Sequence, residues 1–402
     1  MRILRSLISL GLLGLATPAA AKTIPVAAGD SAQERLQEAL IKAEPGDTVQ
    51  LGKGVFKLTD GLSLAVDGVT LRGAGAGNDG SVLDFSGQLG AGEGLLVTSD
   101  DVLLVDFAVV NSKGDGIKSK GADRIVYHRL RVEWLAGPRE SNGAYGIYPV
   151  EASDVLVDSV YVRGASDAGI YVGQSRNIIV RDSIAVENVA GIEIENSYNA
   201  DVTGNIATKN TGGILVFDLP NLPQMGGRDV RVFDNIITGN MTPNFAPKGN
   251  IVASVPTGTG VLVMANRNVH VFDNVIEDHG TVNVMVIGYR YPFEDAKYDP
   301  LPRNVVVYGN QHGRAGFAPA MEGGTELAAA LGGALPPMLW DGSGANIIFG
   351  DDDGAISLGL ADPKAGMAAA MPTPVVPIED ARAAVPTISP VVLPAAMEAK
   401  VK

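Results

Sequence analysis

GIEIENSYNADVTGNIATKNTGGILVFD, residues 191–218, contains one full period of the pattern that organises this chain. Gly191-Ile192 and Gly213-Ile214 each open a short run in which apolar and other residues alternate, and they stand 22 residues apart. Period-2 alternation reads as strand, and the Asn, Asp and Gly clusters between the runs read as turns. Strands this short cannot bury an apolar face alone, but stacked coil on coil they share one continuous core.

Working outward, a Gly-Ile, Gly-Leu or Gly-Val pair recurs at Gly94, Gly116, Gly146, Gly169, Gly191, Gly213 and Gly260. Three of the intervals are 22 residues and one is 23, while the longer ones are 30 and 47. A second marker follows each of the later runs, at Asn205, Asn235, Asn274 and Asn310. These asparagines are expected to stack at one turn, their amides bonding along the solenoid.

The pattern resembles right-handed parallel β-helix proteins of the pectin-lyase-like class over roughly residues 24–318. The resemblance implies an all-β chain, a single-stranded solenoid of coils of about 22 residues. An amphipathic helix at about 32–43 would close its N-terminal end, where an open sheet edge would otherwise invite pairing. The expected organisation is a signal peptide at 1–21, a β-helix domain at 22–318, a C-terminal cap at 319–362 and an Ala/Pro-rich tail at 363–402. The tail reads as a linker or a loosely attached, disordered segment. GDDDG at 350–354 lacks the alternate-residue ligand spacing of a calcium loop and reads as a solvated turn.

The leader combines Arg2 and Arg5, an apolar core and Ala19-Ala20-Ala21 as a cleavage site, which predicts export to the periplasm or beyond and a cut after Ala21. No other apolar run is long enough to span a bilayer, so the mature protein is expected to be soluble. Without its leader the chain carries 29 basic against 45 acidic residues, a net of −16, which disfavours nucleic acid as a partner. The absence of cysteine removes disulfides and thiolate metal sites. The four histidines show no metal-site spacing and read as surface or turn residues, and no cofactor is expected.

Insertions locate the function. They fall immediately before the Gly-Ile strands, at 135–145 and 241–259, or immediately after them, at 219–227 and 289–302. Loops on both sides of one strand stack predict a groove with that stack as floor. With Ile170, Ile192, Ile214, Val261 and Val284 pointing inward, their neighbours point out. The outward set begins with Lys118, Lys120, Tyr148 and Tyr171, passes through Glu193 and Glu195, and ends with Leu215, Phe217, Leu262, Met264, Met285 and Ile287. Six consecutive apolar positions are expected to lie under the loops or to bind something apolar.

Tyr145-Gly146-Ile147-Tyr148-Pro149-Val150-Glu151 resembles the catalytic strand of alginate epimerases, with Tyr148 and Val150 where that family has aspartate and histidine. The resemblance implies proton abstraction beside a uronate carboxylate. Such chemistry needs a cation, a base and a proton donor. Lys118 is the candidate cation, Glu193 or Tyr171 the base and Tyr148 the acid. Tyr145, Tyr171, Glu195, Lys120, Phe217 and Met264 are the candidate substrate-binding residues. The Glu193/Glu195 pair also raises glycoside hydrolysis. Polygalacturonase-like β-helix hydrolases use several clustered aspartates, and this groove shows none, which weighs against the hydrolase reading.

The first reading is an exported protein that binds, and modifies by lyase- or epimerase-type chemistry, an acidic polysaccharide or similar elongated ligand. The alternative is a non-catalytic binding or assembly protein that uses the groove for an apolar ligand or a protein partner. Whether the chain is an enzyme stays open at this stage.

Overall fold

The structure, a computed structural model, describes residues 21–90 and 92–402. The predicted leader therefore lies outside the described residues except for Ala21. Most coils contribute one strand to each of three sheets, of 12, 12 and 10 strands, which run along a solenoid. Pairing within them is parallel except for Thr373–Val375, which adds antiparallel to Ala355–Ser357.

Register explains the Gly-Ile spacing. Ile117, Ile147, Ile170, Ile192, Ile214, Val261 and Val284 stand opposite one another in successive strands, and the row continues to Met338. All eight are fully buried. The row behaves as one continuous aliphatic stack, so truncating a member such as Ile214 to alanine costs ~2–5 kcal/mol.

Two further ladders lock the turns. Nδ2 of Asn205 donates to Oδ1 of Asn235 (3.0 Å), Asn235 to Asn274 (2.9 Å) and Asn274 to Asn310 (2.9 Å). Asp351 ends this ladder, accepting from Asn310 (3.0 Å) and bonding to His312 (3.1 Å). In the segment read as a solvated turn, Asp352 and Asp353 are exposed, whereas Asp351 is a buried ladder terminus. A second ladder runs Asn188, Asn210, Asn240 and ends on His279. His128, His270 and His279 are buried and hydrogen-bonded, and the His312 side chain is fully enclosed. The histidines are therefore structural interior groups rather than surface ones.

The helix Ala32–Lys42 covers the N-terminal end, burying Ala32, Leu36, Ala39 and Leu40. At the other end the solenoid outlasts the expected boundary at 318. Met338–Trp340 and Ala345–Phe349 continue two of the sheets, and Ala355–Ser357 adds another strand.

The tail is not a loose appendage. It turns back and runs as a strap across the outer face of the sheet that contains Ser153–Asp158 and Arg176–Arg181. Val391, Leu393 and Met397 pack against Leu103, Val105, Val126, Leu156 and Ile179. Glu398 pairs with Arg181 (2.9 Å), and Nζ of Lys400 donates to the carbonyl of Asp101 (2.9 Å). The physical reason is that the strands beneath are apolar on both faces, so the outer face needs a cover.

Candidate functional site

The predicted floor is one sheet face, built from Ile117–Lys120, Tyr145–Val150, Ala168–Gly173, Ala190–Glu195, Gly212–Phe217, Thr259–Met264 and Val282–Ile287. Lys118 stands opposite Tyr148, Tyr171 opposite Glu193, and Glu195 opposite Phe217, which in turn faces Met264. The outward alternation thus places Lys118, Tyr148, Tyr171, Glu193 and Glu195 along one face.

The insertions do not stand beside this floor as open walls. From Tyr171 onward they lie on it. Ile251–Ser254 brings Val252 and Val255 down onto Ala168, Tyr171 and Leu215. In the later insertion Tyr289, Phe293 and Tyr298 pack edge to face, and the Tyr298 hydroxyl donates to the carbonyl of Asp218 (2.5 Å). Phe217 and Met264, expected to touch substrate, are buried in this packing. The open floor is the stretch around Leu96, Lys118 and Tyr148, each half-buried.

On the open part, Nζ of Lys118 lies 3.0 Å from Glu93 and 3.7 Å from Asp115, and 4.8 Å from the centre of the Tyr148 ring. Its charge is already matched by two carboxylates. Lys120 pairs with Glu151 at 3.5 Å, with both side chains largely exposed. The rings of Tyr145, Tyr148 and Tyr171 form a triangle with centroids 4.5–5.0 Å apart.

Behind this triangle lies the acid cluster. The Tyr171 hydroxyl donates to Oε1 of Glu195 (2.7 Å), and Tyr171 reaches it by lying across Gly173. A Cβ on residue 173 would fall 2.4 Å from the Tyr171 hydroxyl, so only glycine admits this ring position. Glu193 and Glu195 project from the same face of one strand, and each shifts the titration of the other. Oε2 of Glu193 is buried without a hydrogen-bond partner among the described residues. Asp167 accepts from Nδ2 of Asn250 (3.0 Å), which tethers the 241–259 insertion to the site.

Burial, with mutual repulsion added, drives the protonation. Loss of solvent pushes Glu193 well above the usual carboxylate range, and Glu195 and Asp167 add to the effect. The same desolvation raises Glu195 and Asp167 to about 7 each. Asp115, less deeply placed, rises to about 6. Burial and the surrounding acids push Tyr148 up to about 12 and also raise Tyr145 and Tyr171. At neutral pH the tyrosines are phenols, suited to donate hydrogen bonds and unsuited to act as bases.

Three residues of this site, Asp115, Asp167 and Asn250, escape the sequence reading. Asp115 and Asp167 precede their Gly-Ile pairs by one and two residues, in turns that an alternation rule does not project. Asn250 arrives from an insertion 83 residues beyond Asp167. The expectation that the groove lacks clustered aspartates is corrected accordingly, because the aspartates come from turns rather than strands. Among the described residues, no group of three or more His, Cys, Asp or Glu side chains is arranged to hold a metal ion. No helix among them is long and apolar enough to cross a membrane.

A family described as right handed beta helix region matches residues 67–223. No curated protein matches the chain. Among solved structures, the AlgE4 mannuronan C-5 epimerase A-module of Azotobacter vinelandii is similar with a TM-score of 0.53 at 15% identity, covering 80% of this chain and 92% of that one. The DFA-IIIase of Arthrobacter chlorophenolicus A6, solved in complex with GF2, is similar with a TM-score of 0.53 at 13% identity, covering 83% and 96%. Identities this low speak to architecture alone, and on that the family match, the three long parallel sheets and both neighbours agree: the chain is a right-handed parallel β-helix.

Proposed function

We propose that this protein acts on a polysaccharide laid along the floor from Lys118 to Glu195, with the buried carboxyl cluster as its acid–base group. The observation that carries the reading is that Asp167, Glu193 and Glu195 share one enclosed site with no lysine or arginine paired to any of them among the described residues. Carboxyls that titrate near 7 are matched to general acid catalysis at neutral pH. Glu193 and Glu195 project from the same face of one strand and titrate as a linked pair. They therefore act as one proton-sharing unit, and Asp115 on the open floor is the second carboxyl. Substrate reaches the pair when the insertion tethered by Asn250 lifts.

Lys118 is neutralised by Glu93 and Asp115, so a neutral or weakly charged glycan suits this floor better than a polyanion. A second reading, uronate lyase or epimerase chemistry, is favoured by the placement of Lys118 directly over Tyr148. Export to the periplasm or the medium belongs to the same proposal and rests on residues 1–21. Cell fractionation tests it: a cytosolic, uncleaved chain would refute it.

Incubation with a β-glucan, a fructan, polymannuronate, polyguluronate and polygalacturonate tests the reading. New reducing ends or transfer products from a neutral glycan, absent in Glu193→Gln, support the first version. Unsaturated or inverted uronates, absent in Lys118→Ala and Tyr148→Phe, support the second. No product from any of them, with the protein folded, contradicts both.

A further inference from the structure

Past the acid cluster, at the C-terminal end of the same sheet face, the insertions do not fill all the space they cover. They leave a cavity of about 180 Å³. Leu262, Met264, Met285 and Ile287 form its floor, and Met321 and Met367 face them from the covering segments. The space opens in part to solvent past Arg290, Glu322 and Gly366. An apolar cavity of roughly 150 Å³ stays dry and accepts benzene. Four methionines around one space add a wall that reshapes easily, because the unbranched thioether chain adapts to its contents.

The polar groups present select against ions. Asp341, the buried carboxyl on the wall, accepts from the backbone N–H groups of Gly288 and Ser343 and from the Ser343 hydroxyl, so it is already satisfied. Arg290 and Glu322, both exposed, stand at the rim with opposite charges in contact with solvent, so neither sign of ion is favoured there. One lip, residues 363–367, belongs to the start of the returning tail, so it can move without breaking the solenoid.

We infer that this cavity is a binding site for an uncharged apolar group, a short aliphatic chain or single ring of about six to eight carbons. It is independent of the carbohydrate reading, because it uses none of the acid cluster and its test measures binding rather than turnover. The closing experiment is a titration of the intact protein, labelled with 13C at its methionine methyls, with 1-hexanol, hexanoate and hexylammonium. The site predicts saturable shifts at Met264, Met285, Met321 and Met367, with Met338 in the core and Met397 under the tail unmoved. The two ions should bind about tenfold or more weaker, since a charge entering an apolar cavity loses its hydration. Met285→Trp, which fills the space, should abolish the shifts, and if that variant fails to fold, Ala365→Trp fills it from the lip. Absence of saturation, shifts spread equally to Met338 and Met397, equal binding of the ions, or hexanol binding that survives the filling substitution each overturns the proposal.

Discussion

Two sheets of this solenoid bury carboxyl groups on their outer faces beneath later parts of the chain, and they treat those groups in opposite ways. Under the tail, Asp158 bonds to His128 (2.9 Å) and Arg181 (2.5 Å), and Asp201 is gripped by Arg231 (2.5 Å) and the backbone N–H of Val391 (3.0 Å). Burial opposes ionisation of Asp158, yet its bonds to Arg181 and Ser159 hold it below the usual carboxylate range. Under the insertions, the polar neighbours of Asp167, Glu193 and Glu195 among the described residues are amide, phenol and carboxyl groups, and burial holds the three protonated to near neutrality. Burial alone therefore does not mark a carboxyl as functional. A buried acid with an arginine fastens structure, whereas a buried acid left without a cation carries a persistent energetic penalty that catalytic use would explain.

The sharpest way to break this comparison is to remove one charge on each side. Glu193→Gln keeps the shape and removes the titrating group, and product formation should fall roughly 10²–10⁴-fold, as expected for a general acid. Arg231→Ala should cost ~3–5 kcal/mol in urea unfolding, because it leaves Asp201 buried and unpaired. Glu193→Gln should do the reverse and stabilise the fold at pH 8, because folding raises Glu193 well above its unfolded value and the amide has no proton to hold.

The pH profile separates the two sheets by sign. The folded state raises Glu195 and Asp167 to about 7, so their favourable contribution is complete below the unfolded values near 4 and is lost as pH rises through 7. Asp158 is depressed, so its contribution is present above the unfolded value and is lost as pH falls through the lower folded one. Thermal melts across pH should therefore show two limbs, and Asp167→Asn should flatten only the alkaline one. The smallest expected effect is that of Glu398→Gln, about 0.5 kcal/mol, since its pair with Arg181 is partly exposed.

Much of the solenoid was legible because its signals are local and periodic. The Gly-Ile pairs carry the inward aliphatic stack, and the asparagines carry the turn ladder. Glu193 and Glu195 were legible for the same reason, since strand alternation projects them from the floor. Asp115 and Asp167 were not, because they sit in turns whose direction depends on backbone geometry. The covering of Phe217 and Met264 depends on where insertions from other coils come to rest. The tail was misread because its Ala/Pro content resembles a linker. The sign of a docked tail lies elsewhere, in strands such as Val155-Leu156-Val157 and Ile178-Ile179-Val180, which are apolar on both faces and need a cover.

Three carboxyls beneath the insertions hold protons near neutral pH because no cation accompanies them among the described residues. Carboxyl-carbon NMR on protein labelled at Asp and Glu side chains, with Glu193→Gln, Glu195→Gln and Asp167→Asn for assignment, measures this directly. The account predicts that signals of Asp167 and Glu195 titrate near pH 7 and that Glu193 stays protonated beyond the ordinary range. If all three are ionised by pH 5, the cluster is an ordinary set of carboxylates and the proposed acid–base site is wrong.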